Sequence, residues 1–384
     1  MTFRTVLLTL NLSFFLVGCG TGGLFGVSVA AEPVKTEPPN SVNVFVTVND
    51  GRDPVASLTE SDFKLYENEL LLDNHEVHLH LLATDSMAAG LTILLLDVSG
   101  SPDEAELNRI ERGATHFVEK VTVTQPVTIV AFDGSSRPRE VARFSKVEQS
   151  TERTVPSLWP FLSKDSSRDL NGAILSAIKG ATAELKKRKM SAQFGTIVTL
   201  LRGPDLAGRT SDKDAQNAIY GSGFEFYSLS PEGTKIGNLA DIGKNERFEF
   251  ATIDTMPMTF QDLGMRVRSA WNSHYFLSYC SPSRAGERKL KIAIEYDGEG
   301  GGKKKGSTQS RFDSTGFVGG CGVEPAEVVP DPTAPLTEVT VPPTNTATRE
   351  SSKVGQKPKK PADSADSDDE PVEVVAPPSS GKYE

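Results

Sequence analysis

Leu91-Thr92-Ile93-Leu94-Leu95-Leu96-Asp97-Val98-Ser99-Gly100-Ser101 is the stretch whose reading decides the fold. Its apolar run has no polar alternation that would leave one face wet, so it reads as a strand buried on both faces of a parallel sheet. Ligands of such sheets gather at the carboxyl ends of the strands, and Asp97 stands at that end. Ser99 and Ser101 lie two residues apart and can turn their hydroxyls toward one point, with Gly100 letting the backbone between them bend. A carboxylate and two hydroxyls are hard oxygen donors of the kind that suit Mg²⁺, Ca²⁺ or Mn²⁺.

Outward from this stretch, strands and helices alternate. Leu107, Ile110, Ala114, Phe117, Val118 and Val121 recur at helical spacing behind Ser101-Pro102-Asp103-Glu104, a Ser cap followed by Pro and first-turn acids. Leu170, Ile174, Ile178, Ala181 and Leu185 repeat the spacing, and Val127-Thr128-Ile129-Val130-Ala131-Phe132 is a short apolar strand between the two helices. The alternation predicts an α/β fold, a doubly wound, mostly parallel sheet with helices on both faces. Before it, residues 41–82 largely alternate apolar and polar positions around the turn signal Asn49-Asp50-Gly51, as expected of flanking antiparallel strands. After it, Arg288–Tyr296 and Gln309–Phe312 read as a β-hairpin, with Gly298–Gly306 as its loop.

The Asp97-x-Ser99-x-Ser101 pattern resembles the first loop of the metal-ion-dependent adhesion site of von Willebrand factor A domains. The resemblance extends over about Ser41 to Cys321. Val42–Val48 and Leu58–Glu67 are similar to the β-rich lead-in of bacterial exported proteins of this family, and His274-Tyr275-Phe276-Leu277-Ser278-Tyr279 to the strand that closes the A domain. It implies a von Willebrand A-type fold in which a bound dication captures an acidic side chain of a macromolecular partner. Two loops depart from the family pattern. Arg168 falls where the second loop offers a Thr, with Ser167 one residue out of place, and the third loop runs into Arg202-Gly203-Pro204-Asp205, with no carboxylate directly after its strand. Two readings stand: a site that binds Mg²⁺ or another divalent cation through Asp97, Ser99 and Ser101 with help from Ser167 and Asp205, or a vestigial one. In the vestigial case water or an arginine–carboxylate pair takes the cation's place; if a guanidinium does, Arg168 or Arg202 should reach Asp97.

The N-terminus carries Arg4, a short apolar run and Leu16-Val17-Gly18-Cys19. This reads as a signal peptide rather than a spanning helix. The last four residues resemble the lipobox of bacterial lipoproteins, which implies that Cys19 is acylated and that the lipid holds the chain to a membrane. The other reading is an ordinary signal peptide cleaved elsewhere. Gly20, not Asp, follows Cys19, which by the same resemblance implies the outer membrane of the cell envelope. With Cys19 lipidated, Cys280 and Cys321 remain; in an oxidising compartment they pair, and otherwise they are free thiols. The expected boundaries are a signal peptide at 1–18, a lipidated tether at 19–40, the β-rich lead-in at 41–85, the A-type domain at 88–280, the hairpin extension at 281–322 and a disordered acidic, Pro-rich tail at 323–384.

Acidic residues outnumber basic ones by 51 to 41, which argues against nucleic acid as a partner. His78 and His80 would share a strand face at metal-ligand spacing, but apolar Val77, Leu79 and Leu81 on the opposite face turn both toward solvent. Gly-x-Ser-x-Gly is absent, and no enzyme motif is found. The expected function is therefore that of a membrane-anchored lipoprotein whose A-type domain binds a protein partner; the alternative is a structural envelope component that uses the domain as a metal-free scaffold.

Overall fold

The structure, a computed structural model, describes residues 26–149, 152–162, 165–235, 239–298, 301–318 and 320–321. The expected signal peptide, Cys19 and the expected tail from 323 on lie outside the described residues. In chain order the main elements begin with four strands, β1 (Val27–Ala31), β2 (Ser41–Asp50), β3 (Phe63–Glu67) and β4 (His80–Leu82). The alternating region follows with β5 (Ala88–Asp97), α1 (Glu104–Val121), β6 (Val127–Phe132), β7 (Arg139–Phe144), α2 (Leu170–Lys187), β8 (Ala192–Leu200) and α3 (Asp212–Ser222). It is completed by β9 (Glu225–Pro231), β10 (Glu246–Phe250) and α4 (Met256–Asn272). The last strands are β11 (His274–Cys280), β12 (Glu287–Asp297) and β13 (Lys303–Asp313).

Every residue of β5 is buried, as its unbroken apolar run requires. It lies between β6 and β8, parallel to both, in a sheet of order β7-β6-β5-β8-β9-β10 whose only antiparallel neighbour is β7. Because side chains alternate along a strand, Leu94 and Leu96 face one way and pack under α1 and α4, where Leu107, Ile110, Phe117, Phe260 and Leu263 meet them. Ile93 and Leu95 face the other way, against Leu170, Ile174, Ala177 and Ile219 of α2 and α3. This is the expected doubly wound, mostly parallel α/β sheet with flanking antiparallel sheets. The cap of α1 is Asp103 rather than Ser101: its carboxylate accepts from the Glu106 amide at 2.7 Å, and the intervening Pro102 sits outside the helix.

The remaining strands form two antiparallel sheets, β1-β2-β11-β4 and β13-β12-β3 with the short strand Leu70–Leu71 at its edge. Val42, Val44, Val46 and Val48 of β2, Phe63 and Leu65 of β3, and Leu290, Ile292 and Ile294 of β12 share one core, so the two sheets close as a sandwich. Three sequence expectations are corrected here. The strand 274–280, expected to close the A-type domain, lies outside the parallel sheet; it pairs with β2 and β4, because Tyr275, Leu277 and Tyr279 point into the sandwich core. Part of the expected tether is also ordered: Val27 and Val29 alternate with polar residues, bury into the same core and make β1 a partner of β2, and Lys35–Glu37 pairs with β2 as well. Finally, Lys303, Lys304 and Lys305 are not loop residues but the start of β13, in register with Asp297, Tyr296 and Glu295.

His78 sits in a turn at φ 46° and only His80 lies on β4, so the two share no strand face. Phe45 and Phe276 of the sandwich stack near Phe194 and Trp271 of the α/β part, an aromatic seam between the two. Cys280 and Cys321 are joined by a disulfide, with Cα atoms 5.6 Å apart. Among the described residues no helix is long and apolar enough to cross a membrane.

Candidate functional site

Asp97 ends β5 with no solvent exposure, at the carboxyl edge of the parallel sheet where three loops converge. Its Oδ1 accepts from the backbone amide of Ser99 at 3.0 Å and from the Ser99 hydroxyl at 2.6 Å. Its Oδ2 accepts from Arg168 Nε at 2.5 Å and from the Arg202 amide at 3.2 Å. Both carboxylate oxygens are thus committed inside the protein. Gly100 and Ser101 follow with φ of 68° and 53°, a left-handed pair that turns the chain outward and leaves Ser101 exposed rather than beside Asp97.

Arg168 is itself almost fully buried. Its Nη1 donates to the Pro204 carbonyl at 3.0 Å, while its own carbonyl accepts from the amides of Leu206 and Ala207 at 2.8 and 2.9 Å. The side chain lies so close to the third loop that a Cβ on Gly203 would come within 2.6 Å of Nη1. Arg202 adds a second tie, donating from Nη1 to the Ser99 carbonyl and pairing through Nη2 with Glu106 of α1 at 2.8 Å. Two guanidinium groups therefore lace together the loops after β5 and β8 and the loop before α2.

The two weaker candidates are used elsewhere. Ser167 donates its hydroxyl to Asp165 Oδ1 at 2.7 Å, beside Gly134. Asp205 accepts from the Asn171 amide at 3.2 Å and the Gly208 amide at 2.8 Å, fixing the third loop against the first turn of α2. The structure thus joins Asp97 to Ser99, exposes Ser101 and engages Ser167 and Asp205 with other partners.

A hard dication needs about six oxygen donors preplaced around it. Here both oxygens of the buried Asp97 carboxylate are already bonded, and a fixed positive charge lies against Oδ2. The residues as arranged do not fit a dication at Asp97. Among the described residues no group of three or more His, Cys, Asp or Glu side chains is disposed to hold a metal.

Sequence reasoning missed a second acidic group on the same edge. Asp133, at the end of β6, accepts from the Ser135 amide at 2.7 Å and pairs with Arg139 at 2.9 Å. Asp165 accepts from the Ser167 amide at 3.0 Å, and Asp169, buried just before α2, lies 3.7 Å from Arg209, which also approaches Asp165 at 3.8 Å. The Ser167 hydrogen bonds hold the Asp165 carboxyl below its usual range, whereas burial, reinforced by the negative charge of Asp205, raises that of Asp169. The signal was present in the chain: Asp97-x-Ser99, Asp133-x-Ser135 and Asp165-x-Ser167 repeat one turn-forming pattern.

No protein-family model and no curated protein matches the chain. Among solved structures it is similar to a von Willebrand factor type A protein from Catenulispora acidiphila, with 11% identity over 74% of this chain and 73% of that one and a TM-score of 0.38. It is also similar to manganese-loaded TRAP protein of Plasmodium vivax, with 10% identity over 67% of this chain and 99% of that one and a TM-score of 0.35. Proximal thread matrix protein 1 of the mussel byssus is matched with 14% identity and a TM-score of 0.34 over 53% of this chain, which spans about half (51%) of that protein. The fold assignment rests on the strand order and burial described above.

Proposed function

We propose that this chain is an exported, lipid-anchored module of von Willebrand A type that binds a protein partner at the carboxyl edge of its parallel sheet, and that it does so without a metal ion. The observation that carries the metal-free reading is the buried Arg168–Asp97 pair at 2.5 Å, which puts a permanent cation where a dication would have to enter. A guanidinium is never deprotonated in a protein and offers a planar fork of donors suited to carboxylates, so Arg168 keeps Asp97 paired at any physiological pH. Attachment to the envelope through Cys19, on the outer membrane, belongs to the same proposal and is supported by the lipobox-like Leu16-Val17-Gly18-Cys19.

The test is a pull-down from solubilised envelope membranes, with and without EDTA. A specific partner retained in EDTA is the expected result. Capture lost in EDTA and restored by Mg²⁺ overturns the metal-free reading. Absence of any specific partner favours the other class, an envelope component in which the A-type fold is a rigid scaffold; that reading draws on the full internal satisfaction of Asp97, which leaves no carboxylate oxygen for an outside ligand.

A further inference from the structure

We propose that the cleft between α1 and the turn at 157–161 receives a cationic side chain, an arginine or lysine presented by a partner protein. The turn is firmly built. Val155 and Leu158 are buried in the core under α1, the Leu158 amide donates to Glu111 Oε1 at 2.6 Å, and the Ser157 hydroxyl donates to the same oxygen at 3.2 Å. Arg139 lies 5.8 Å above the Phe161 ring and closes the far side. Trp159 joins the turn through its backbone, but none of this anchoring uses its ring, and the residue is 60% exposed. A large aromatic ring held out in water by a rigid turn, at the wall of a cleft, has the form of a contact residue.

The cleft has a volume of about 290 Å³, enough for a long side chain, and is lined by Glu104, Leu107, Asn108, Glu111, Ser157 and Trp159. Both ionisable groups in that lining are acids. Arg109 on the same helix is turned to Asp254 at 2.6 Å and the Ala105 carbonyl at 2.9 Å, and Arg202 is taken by Glu106. An indole face beside carboxylates attracts a guanidinium or ammonium, while the Leu107 floor accepts its aliphatic stem. Because α1 begins directly after the Asp97–Ser101 turn, the cleft stands on the same carboxyl edge of the sheet as the arginine-laced loops.

This deepens the binding reading by naming the partner's chemistry, and the two fail separately, since the pull-down does not depend on which surface is used. The experiment follows the two indole N–H signals of the full chain by NMR during titration with tetra-arginine amide, with tetra-glutamate as the control. Trp271 is buried and serves as the internal reference for folding. The expected result is a saturable shift of the Trp159 signal with tetra-arginine only, weakened about 3- to 5-fold by Glu104→Gln and lost by calorimetry in Trp159→Leu. Three outcomes overturn it: no shift, an equal shift with tetra-glutamate, or affinity unchanged in Glu104→Gln. A Trp159 signal that moves when residues 351–384 are removed would assign the cleft to the chain's own Lys357-Pro358-Lys359-Lys360 and overturn the external partner.

Discussion

A carboxylate with no exposed surface must have its charge answered inside the fold, and Asp97 is answered by Arg168. The pair costs desolvation on both sides, so its net contribution is small, but breaking it leaves one uncompensated buried charge. Arg168→Met should therefore destabilise the protein by about 3–5 kcal/mol in urea unfolding. Combining it with Asp97→Asn should cost less than the sum of the two single changes, because the double variant strands no charge; additive costs would show that the two side chains are not energetically coupled. Arg168→Thr goes further, replacing the fixed cation beside Asp97 with a hydroxyl. Mg²⁺ should raise the melting temperature of that variant and leave the wild type unchanged. A Mg²⁺-dependent rise in the wild type that vanishes in Asp97→Ala would contradict the geometry described here. Gly203 belongs to the same arrangement: with a Cβ placed 2.6 Å from Arg168 Nη1, Gly203→Ala should cost about 1–3 kcal/mol through overpacking, measured by the same unfolding assay.

At the scale of elements, two of the lysines that open β13 converge on one acid, while Lys304 between them takes Asp50. Glu295 on β12 takes Lys64 at 3.1 Å, Lys303 at 3.1 Å and Lys305 at 3.4 Å, and these hydrogen bonds lower its pKa from 4.5 to about 2. A folded-state pKa below the unfolded one means stability that is fully present above the unfolded value and is lost as pH falls from about 4.5 toward 2. Wild type and Glu295→Gln should accordingly differ by a constant amount above pH 5, about half a unit clear of that window, and converge below it in acid-unfolding experiments. A gap that persists at the acid end would place the effect in packing instead. These elements also show what a single sequence reveals. The β5 run was legible because burial on both faces writes a continuous apolar pattern, and the helices α1 and α2 because their cores recur at fixed spacing; α3 and α4 were not read. The edge strands β7 and β10 were not, since an edge strand buries little and leaves a weak pattern. The strand 274–280 was legible as a strand but not in its place, because an apolar alternation does not say which sheet will receive it. The arginine lacing was only half legible: Arg168 and Arg202 stood in the wrong places for a metal site, yet nothing local showed that Arg168 takes Asp97 while Arg202 takes Ser99 and Glu106.

Over the whole molecule, the β-sandwich is assembled from both ends of the described chain, with β1 to β4 supplied before the parallel sheet and β11 to β13 after it. Such a sandwich depends on long-range closure, and the Cys280–Cys321 bond supplies one such closure. It joins the end of β11 to the chain beyond β13, so β12 and β13 are enclosed in a loop of 41 residues. Cross-linking removes conformations mainly from the unfolded chain, and for a loop of this size the entropic model gives about 3–4 kcal/mol. Cys280→Ser with Cys321→Ser should lose that amount. The loss should appear as one shifted transition rather than as melting of the sandwich alone, because Phe45 and Phe276 pack against Phe194 and Trp271 across the seam to the parallel sheet. Urea unfolding followed by far-ultraviolet circular dichroism and by Trp271 fluorescence checks both parts. Coincident curves with a lowered midpoint are the expected result; separated curves would show that the sandwich unfolds independently and that the aromatic seam does not couple the two halves.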